Sequence, residues 1–141
     1  MYKKILIPVD GSEPSDRAVA HGVVLAQKFG AQVLILNVIQ PVTYQVPESF
    51  LYADQLMDQL TAQGLDMVEN YRKKFEKGAL DIRAETAVGF AADVICEKAE
   101  AGGFDLVVIG SRGLSPGVGF LLGSVSGRVS RRCPCPVLIV R

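Results

Sequence analysis

The sequence predicts an α/β fold in which one open, doubly wound parallel sheet carries helices on both faces. Short runs of β-branched residues and leucine alternate with segments of helical length, and most of these runs are apolar throughout. Such strands are typical of parallel sheets that are buried on both faces. Right-handed crossovers between them restrict the topology to an open sheet. We expect one domain, residues 1–141, because 141 residues suffice for a single core.

Five segments are predicted as strands because each is a short apolar run next to turn residues. The third is the least regular, since its apolar side chains alternate loosely with polar ones. The five predicted strands are Lys3–Val9, Gln32–Val38, Asp81–Val88, Leu106–Ile109 and Pro136–Val140.

Four segments between the strands are predicted as helices from their apolar spacing. Asp10 or Ser12 can cap the first helix, and Pro14 suits a first turn, where no amide donor is needed. A loop with two prolines, residues 39–48, precedes the second helix. The predicted helices are Ser15–Phe29, residues 50–77, Phe90–Ala101 and Ser124–Arg132.

Composition and the N-terminus indicate a cytoplasmic protein without a membrane segment. Hydrophobic residues make up 49% and charged residues 21%, as is usual for globular proteins. No apolar run reaches the roughly 18–20 residues of a membrane span, and Ile5–Val9 is too short for a signal-peptide core. Three cysteines, an odd number, argue against a disulfide framework.

The formal net charge is zero, which argues against a nucleic-acid binder. The charge is nevertheless uneven, because residues 106–141 contain five arginines and no acidic residue. This C-terminal quarter could face an anion, and the alternative is five separately solvated arginines. The five are Arg112, Arg128, Arg131, Arg132 and Arg141.

The stretch after the fourth strand is rich in glycine and reads GSRGLSPGVGFLLGSVS from residue 110. Gly110, Gly113 and Gly123 have the spacing Gly-x2-Gly-x9-Gly-Ser. Glycine permits positive φ and lets a backbone approach a phosphate without a Cβ clash. The following helix start attracts anions through its free amides and its dipole. Residues 110–126 are therefore predicted to form a phosphate loop.

Four side chains could add to this site. Ser124 and Ser126 supply hydroxyl donors, and Arg112 could place a cation over the phosphates. Asp10, at the end of the first strand, is the acidic residue that we assign to the site, as a contact to the ligand or to a metal-bound water. Its alternative role is a cap on the first helix.

Other phosphate-binding motifs do not fit the sequence. It contains no Gly-Lys-Ser/Thr, so it lacks the usual P-loop. The first strand is followed by DGSEPS instead of a dinucleotide-binding glycine pattern, and the partial match that begins at Gly117 fails at Leu122. The alternative to a phosphate loop is a surface loop before an ordinary helix.

Three features together resemble the universal stress protein family over the full length of the chain, least in residues 40–80. They are the glycine spacing above, an opening strand ending Pro8-Val9-Asp10-Gly11-Ser12, and the closing CPVLIVR. The resemblance implies a five-stranded parallel sheet of the Rossmann-like, adenine nucleotide alpha hydrolase-like type, in order 3-2-1-4-5. It also implies ATP, with Mg²⁺, held across strands 1 and 4, and homodimers that often pair through the last strand.

The resemblance further implies three groups of nucleotide contacts. The first group lies beside adenine and ribose, the second around ribose and phosphates, and the third on the phosphate tail. In this sequence they are Pro8, Val9, Asp10 and Val38; Gly110, Arg112 and Gly113; and Gly123, Ser124, Val125 and Ser126.

We therefore expect an ATP-binding regulatory protein of the stress response. One alternative is a weak ATP hydrolase, because Asp10 and Arg112 could converge on a phosphate tail. The other is a structural dimer without nucleotide.

No catalytic or metal-binding residue is assigned. The single histidine, His21, has no partner in the sequence that would make it a general base. Cys133 and Cys135 form a C-x-C pair with Cys96 remote, and we interpret all three as small hydrophobes instead of zinc ligands. The helix at residues 50–77 is expected to form core or dimer surface.

Overall fold

The computed structural model describes residues 1–41, 50–113 and 121–141. The predicted loop at residues 39–48 lies mostly outside the described residues, as do residues 114–120 of the glycine-rich stretch. Every predicted strand and helix is present, with ends that differ by at most two residues. The elements are β1 Lys4–Pro8, α1 Glu13–Phe29, β2 Gln32–Ile39, α2 Phe50–Phe75, β3 Ile82–Val88, α3 Ala91–Ala101, β4 Leu106–Gly110, α4 Ser124–Arg132 and β5 Val137–Val140.

The strands form one parallel sheet in the order β3-β2-β1-β4-β5, which confirms the order that the family resemblance implied. β1 pairs with β2 on one side, Lys4 opposite Gln32, and with β4 on the other, Ile5 opposite Leu106. The chain winds outward from β1 to β3 and then crosses back to β4. The carboxyl ends of β1 and β4 therefore flank the point where the winding reverses, where ligands bind in open α/β sheets.

Helices cover both faces of the sheet, as predicted. Ile5 and Ile7 of β1 pack on one face into a cluster with residues of α1 and α2. Leu6 points to the other face and joins a cluster with residues of α3 and α4. Because successive residues of an inner strand are buried on opposite faces, the inner strands are apolar throughout.

β3 and β5 are the edge strands, and both are less buried than the inner strands. In β3 only Ile82 is fully buried, which accounts for its loose alternation of polar and apolar residues. Within the parts of the chain that the structure describes, no helix is both long and apolar enough to cross a membrane.

Candidate functional site

A cavity of about 880 Å³ opens at the carboxyl ends of β1, β2 and β4. This volume falls within the roughly 300–1,000 Å³ of small-molecule sites. Its walls come from these strand ends, from α2 and α3, and from the start of α4. The cavity thus lies at the point where the strand winding reverses.

All eleven residues that the sequence analysis assigned to a nucleotide site line this one cavity. They come from separate parts of the chain: Pro8, Val9 and Asp10; Val38; Gly110, Arg112 and Gly113; and Gly123, Ser124, Val125 and Ser126. The fold therefore brings every predicted contact together, and their role in binding stays a prediction.

The carboxylate of Asp10 is held by the turn that leads into α1. Its Oδ1 accepts hydrogen bonds from the amide of Ser12 at 3.0 Å and from the hydroxyl of Ser15 at 2.7 Å. The cap of α1 is Ser12, whose hydroxyl oxygen accepts from the amide of Ser15 at 3.3 Å. The alternative role of Asp10 was to cap α1. The cap is Ser12 instead, and Asp10 supports it through these hydrogen bonds.

Gly113 passes directly over Asp10. A Cβ at Gly113 would overlap with Oδ2 of Asp10. The second oxygen of the carboxylate therefore faces the glycine-rich loop, and only a residue without a side chain lets the loop come this close.

Gly110 and Gly123 also permit close contacts within the protein. A Cβ at Gly110 would lie 2.7 Å from Cβ and 2.8 Å from the carbonyl carbon of Pro14, and one at Gly123 would lie 3.3 Å from Cα of Arg112. Gly110, Gly113 and Gly123 do not adopt positive φ. For these three, the positive-φ argument of the sequence analysis was wrong, and close approach of the backbone is the physical reason for glycine.

The start of α4 presents backbone amides to the cavity. Gly123 is the N-cap residue in extended conformation, and its own amide donates to Ser111 O at 2.7 Å. The first bond of the helix runs from the amide of Gly127 to Gly123 O at 2.9 Å. The amides of residues 124–126 precede this bond and have no acceptor inside the helix. With the positive end of the helix dipole at the same place, this surface favours an anion.

The hydroxyl of Ser126 is not turned toward the cavity as a donor. It is 3% exposed and donates to Ser111 O at 2.8 Å, with Gly123 O at 3.2 Å. The sequence analysis expected this hydroxyl to donate to a phosphate, but its single proton instead fastens α4 to the end of β4. Ser124, by contrast, is exposed.

The C-terminal arginines face the cavity only in part. Arg112 is half-buried and lines both this cavity and a smaller one of about 210 Å³, which Arg17 and Arg141 also line. The other three are exposed on α4, and one of them, Arg132, pairs with Asp93 of α3 at 2.5 Å. The positive charge of the C-terminal quarter therefore comes partly from arginines that line cavities and partly from arginines exposed to solvent.

Apart from Val38, the sequence analysis missed the wall formed by β2 and α2. Asn37 is 8% exposed, and its Nδ2 donates to Val9 O at 2.8 Å. A Cβ at Gly64 would overlap with Oδ1 of Asn37, so this glycine brings α2 close to β2. Two signals were present, a lone asparagine in an apolar strand and a glycine inside a helix.

The role expected for the second helix was therefore incomplete. Besides forming core, α2 lines the cavity with Leu60, Gln63, Gly64 and Met67.

A hydrogen bond between helices holds α2 beside this wall. The phenol of Tyr71 in α2 donates to Asp16 in α1. Burial, followed by this hydrogen bond, raises the pKa of Tyr71. The phenol therefore keeps its proton at neutral pH and stays a donor.

His21 is exposed on α1 and does not line the cavity. In the described ranges no group of three histidine, cysteine or acidic residues could hold a metal ion.

The model of the universal stress protein family matches residues 1–141. The chain belongs to the universal stress protein family. It is 38% identical to universal stress protein YxiE of Bacillus subtilis (strain 168), with 100% of both chains covered.

Solved structures of the same family share the fold over nearly the whole chain. Universal stress protein UspA from Lactobacillus plantarum superposes with a TM-score of 0.91 at 26% identity, covering 99% of this chain and 98% of that one. A universal stress protein in complex with cAMP superposes with a TM-score of 0.75 at 30% identity, covering 99% and 97%.

Proposed function

We propose that this universal stress protein binds ATP in the cavity at the ends of β1, β2 and β4 and acts as a nucleotide-dependent regulator in the stress response. The observation that carries the proposal is the arrangement of this cavity. One side is lined by apolar side chains of β2 and α2, and the other by the amides that open α4.

The base and ribose fit the side formed by β1, β2 and α2. Val38, Leu60 and Met67 supply apolar surface there. The carbonyl of Val9 is occupied by Asn37, which fixes the end of β1 against β2. A flat apolar base fits such a slot, where a few placed polar groups orient it.

The phosphates fit the side formed by the glycine-rich loop and α4. The free amides at the start of α4 point to this side, and the positive end of the helix dipole lies there. Arg112 adds a permanent positive charge. The close approaches at Gly113 and Gly123 keep side chains out of the same space.

A magnesium ion would arrive with the nucleotide. Mg²⁺ in proteins is usually held by one or two carboxylates together with substrate phosphates. Asp10 supplies one carboxylate, and its Oδ2 faces the loop. The relative solved with cAMP supports an adenine nucleotide as the ligand class.

We also propose a homodimer that pairs through β5, because β5 is an edge strand and an edge offers unpaired backbone groups to a second copy.

Isothermal titration calorimetry tests the ATP proposal. We expect heat on addition of ATP with Mg²⁺, and none for Gly113→Val or Gly123→Val, whose side chains enter the loop. The control is Gly127→Ala in α4, where a Cβ would make only ordinary contacts, with Nη1 of Arg131 at 3.6 Å and Cβ of Leu122 at 4.0 Å. This control should bind like the unchanged protein.

Absence of heat with ATP, ADP, AMP and cAMP alike would overturn the proposal. Mass spectrometry of the denatured protein checks it independently, since nucleotide that copurifies argues against a structural dimer without ligand.

A further inference from the structure

Two cysteines that are far apart in the sequence meet between α3 and α4. Cys96 lies in α3, and Cys133 is the residue that ends α4. Their sulfurs are 3.1 Å apart, with the thiol of Cys133 donating to Sγ of Cys96. Both are half-buried and in the free thiol form. The sequence analysis treated Cys96 as remote, because only the packing of α3 on α4 brings the pair together.

The two sulfurs can be joined with little movement. A disulfide places them about 2.05 Å apart, so from 3.1 Å they need to approach by roughly 1 Å. The helices are already tied at this point, since Arg132 pairs with Asp93 at 2.5 Å. The ion pair joins the two helices close to the cysteines, since Arg132 directly precedes Cys133 and Asp93 lies three residues before Cys96.

The two thiols differ in reactivity. Burial, followed by the hydrogen bond to Cys96, raises the pKa of Cys133 to about 12. Burial also raises the pKa of Cys135, the other member of the C-x-C pair. Within the pair, Cys96 accepts the hydrogen bond and Cys133 keeps the donated proton, so we assign the first attack, which needs a thiolate, to Cys96.

We propose that Cys96 and Cys133 form a reversible intramolecular disulfide when the folded protein meets hydrogen peroxide. The thiolate of Cys96 attacks one peroxide oxygen and becomes a sulfenic acid, while the released hydroxide takes a proton and leaves as water. The sulfur of Cys133 then attacks the sulfenic sulfur. The expelled hydroxide takes the Cys133 proton and leaves as a second water. Two electrons pass from the two thiols to the peroxide, and a dithiol reductant reverses the bond.

The bond would tie the two helices on one face of the sheet. Ala91 and Ile95 of α3, and residues 124–126 of α4, line the large cavity. The closed loop contains β4, the glycine-rich stretch and α4. Closing such a loop restricts the unfolded chain more than the folded one, so the oxidised protein should melt at a higher temperature than the reduced protein.

The reaction can be followed on the full chain. The reduced protein is treated with one equivalent of hydrogen peroxide, alkylated, and digested with trypsin. We expect the number of free thiols to fall from three to one, and the mass before alkylation to fall by two hydrogens. The tryptic peptide that contains Cys96 should be linked to the C-terminal peptide. The melting temperature should rise by several degrees and return with dithiothreitol.

Single variants identify the partner within the C-terminal peptide. Cys135→Ser should still lose both remaining thiols, whereas Cys96→Ser and Cys133→Ser should keep theirs under the same conditions. The proposal is overturned if the bond links Cys133 to Cys135, if it joins two chains, or if Cys96 is oxidised to the sulfinic acid without a bond. In the unchanged protein the peptide link decides the first outcome, and the mass of the undigested protein decides the second, even if a variant fails to fold.

Discussion

Gly110, Gly113 and Gly123 serve three different contacts, although the sequence shows them as one spaced motif. Gly110 packs on Pro14, Gly113 passes over Asp10, and Gly123 approaches Arg112. The first two contacts join the glycine-rich segment to α1 and to the turn before it, and the third lies within the segment. The motif therefore shapes the cavity before any ligand enters it.

Gly110→Ala tests this role in packing. The added Cβ would lie 2.7 Å from Cβ of Pro14, which forces the first turn of α1 to shift. We expect unfolding in urea to show a loss of about 1–3 kcal/mol in the free energy of unfolding, as for other overpacked sites. Gly127→Ala is the control and should be neutral or stabilising by up to about 1 kcal/mol, because alanine favours a helix over glycine. Equal effects of the two substitutions would contradict the assigned contact.

At the scale of elements, the strands and helices are well predicted from the sequence. Burial of both faces of the sheet makes its inner strands continuous apolar runs that are easily recognised. Inner strands such as β1 and β4 are apolar throughout, and their ends are marked by turn residues. Periodicity also showed that α2 has an apolar face, but not that part of this face borders a cavity. That information depends on how α2 packs on β2, through Gly64 and Asn37.

The orientation of single polar groups was the least predictable part of the site. The hydroxyl of Ser126 could face a ligand or the protein, and the sequence is the same in both cases. The structure directs it to Ser111 O because the chain curls back at the start of α4. The meeting of Cys96 and Cys133 depends in the same way on the packing of two helices.

Ser126→Ala tests the fastening of α4 to β4. Removing the hydroxyl takes away one of the two donors to the carbonyl of Ser111 found among the described residues and leaves the amide of Gly123. We expect the free energy of unfolding in urea to fall by about 1 kcal/mol, the usual net value of such a hydrogen bond. Ser130→Ala is the matched control, because its exposed hydroxyl bonds only to Gly127 O of the same helix. If Ser130→Ala lowers the free energy of unfolding by as much, the hydrogen bond from Ser126 to Ser111 O contributes no more than a hydroxyl bonded within its own helix.

For the whole molecule, the strand order places the cavity and the outer edge of β5 at different parts of one sheet. The reversal of winding between β1 and β4 forms the cavity in the middle, whereas β5 is left at an edge. The carbonyl of Pro136 accepts from Val107 of β4, and that of Val140 accepts from Ser111, the residue after β4. Since alternate residues of a parallel strand bond to the same neighbour, Val137 and Ile139 direct their amides away from β4, toward the outer edge of the sheet.

Ile139→Pro tests the proposed dimer at one of these outward amides. Proline removes the donor that a paired strand would use, and it leaves the hydrogen bonds to the carbonyls of Pro136 and Val140 in place. We expect sedimentation velocity to show a dimer for the unchanged protein and a monomer for Ile139→Pro.

Ile139→Ala separates the loss of the amide donor from the loss of the side chain. It removes the same side chain, which packs beside α3 and α4, but keeps the amide. It should remain dimeric, since the backbone of β5 makes the pairing. If the proline variant stays dimeric, or if both variants dissociate alike, the copies pair through another surface or through side chains alone.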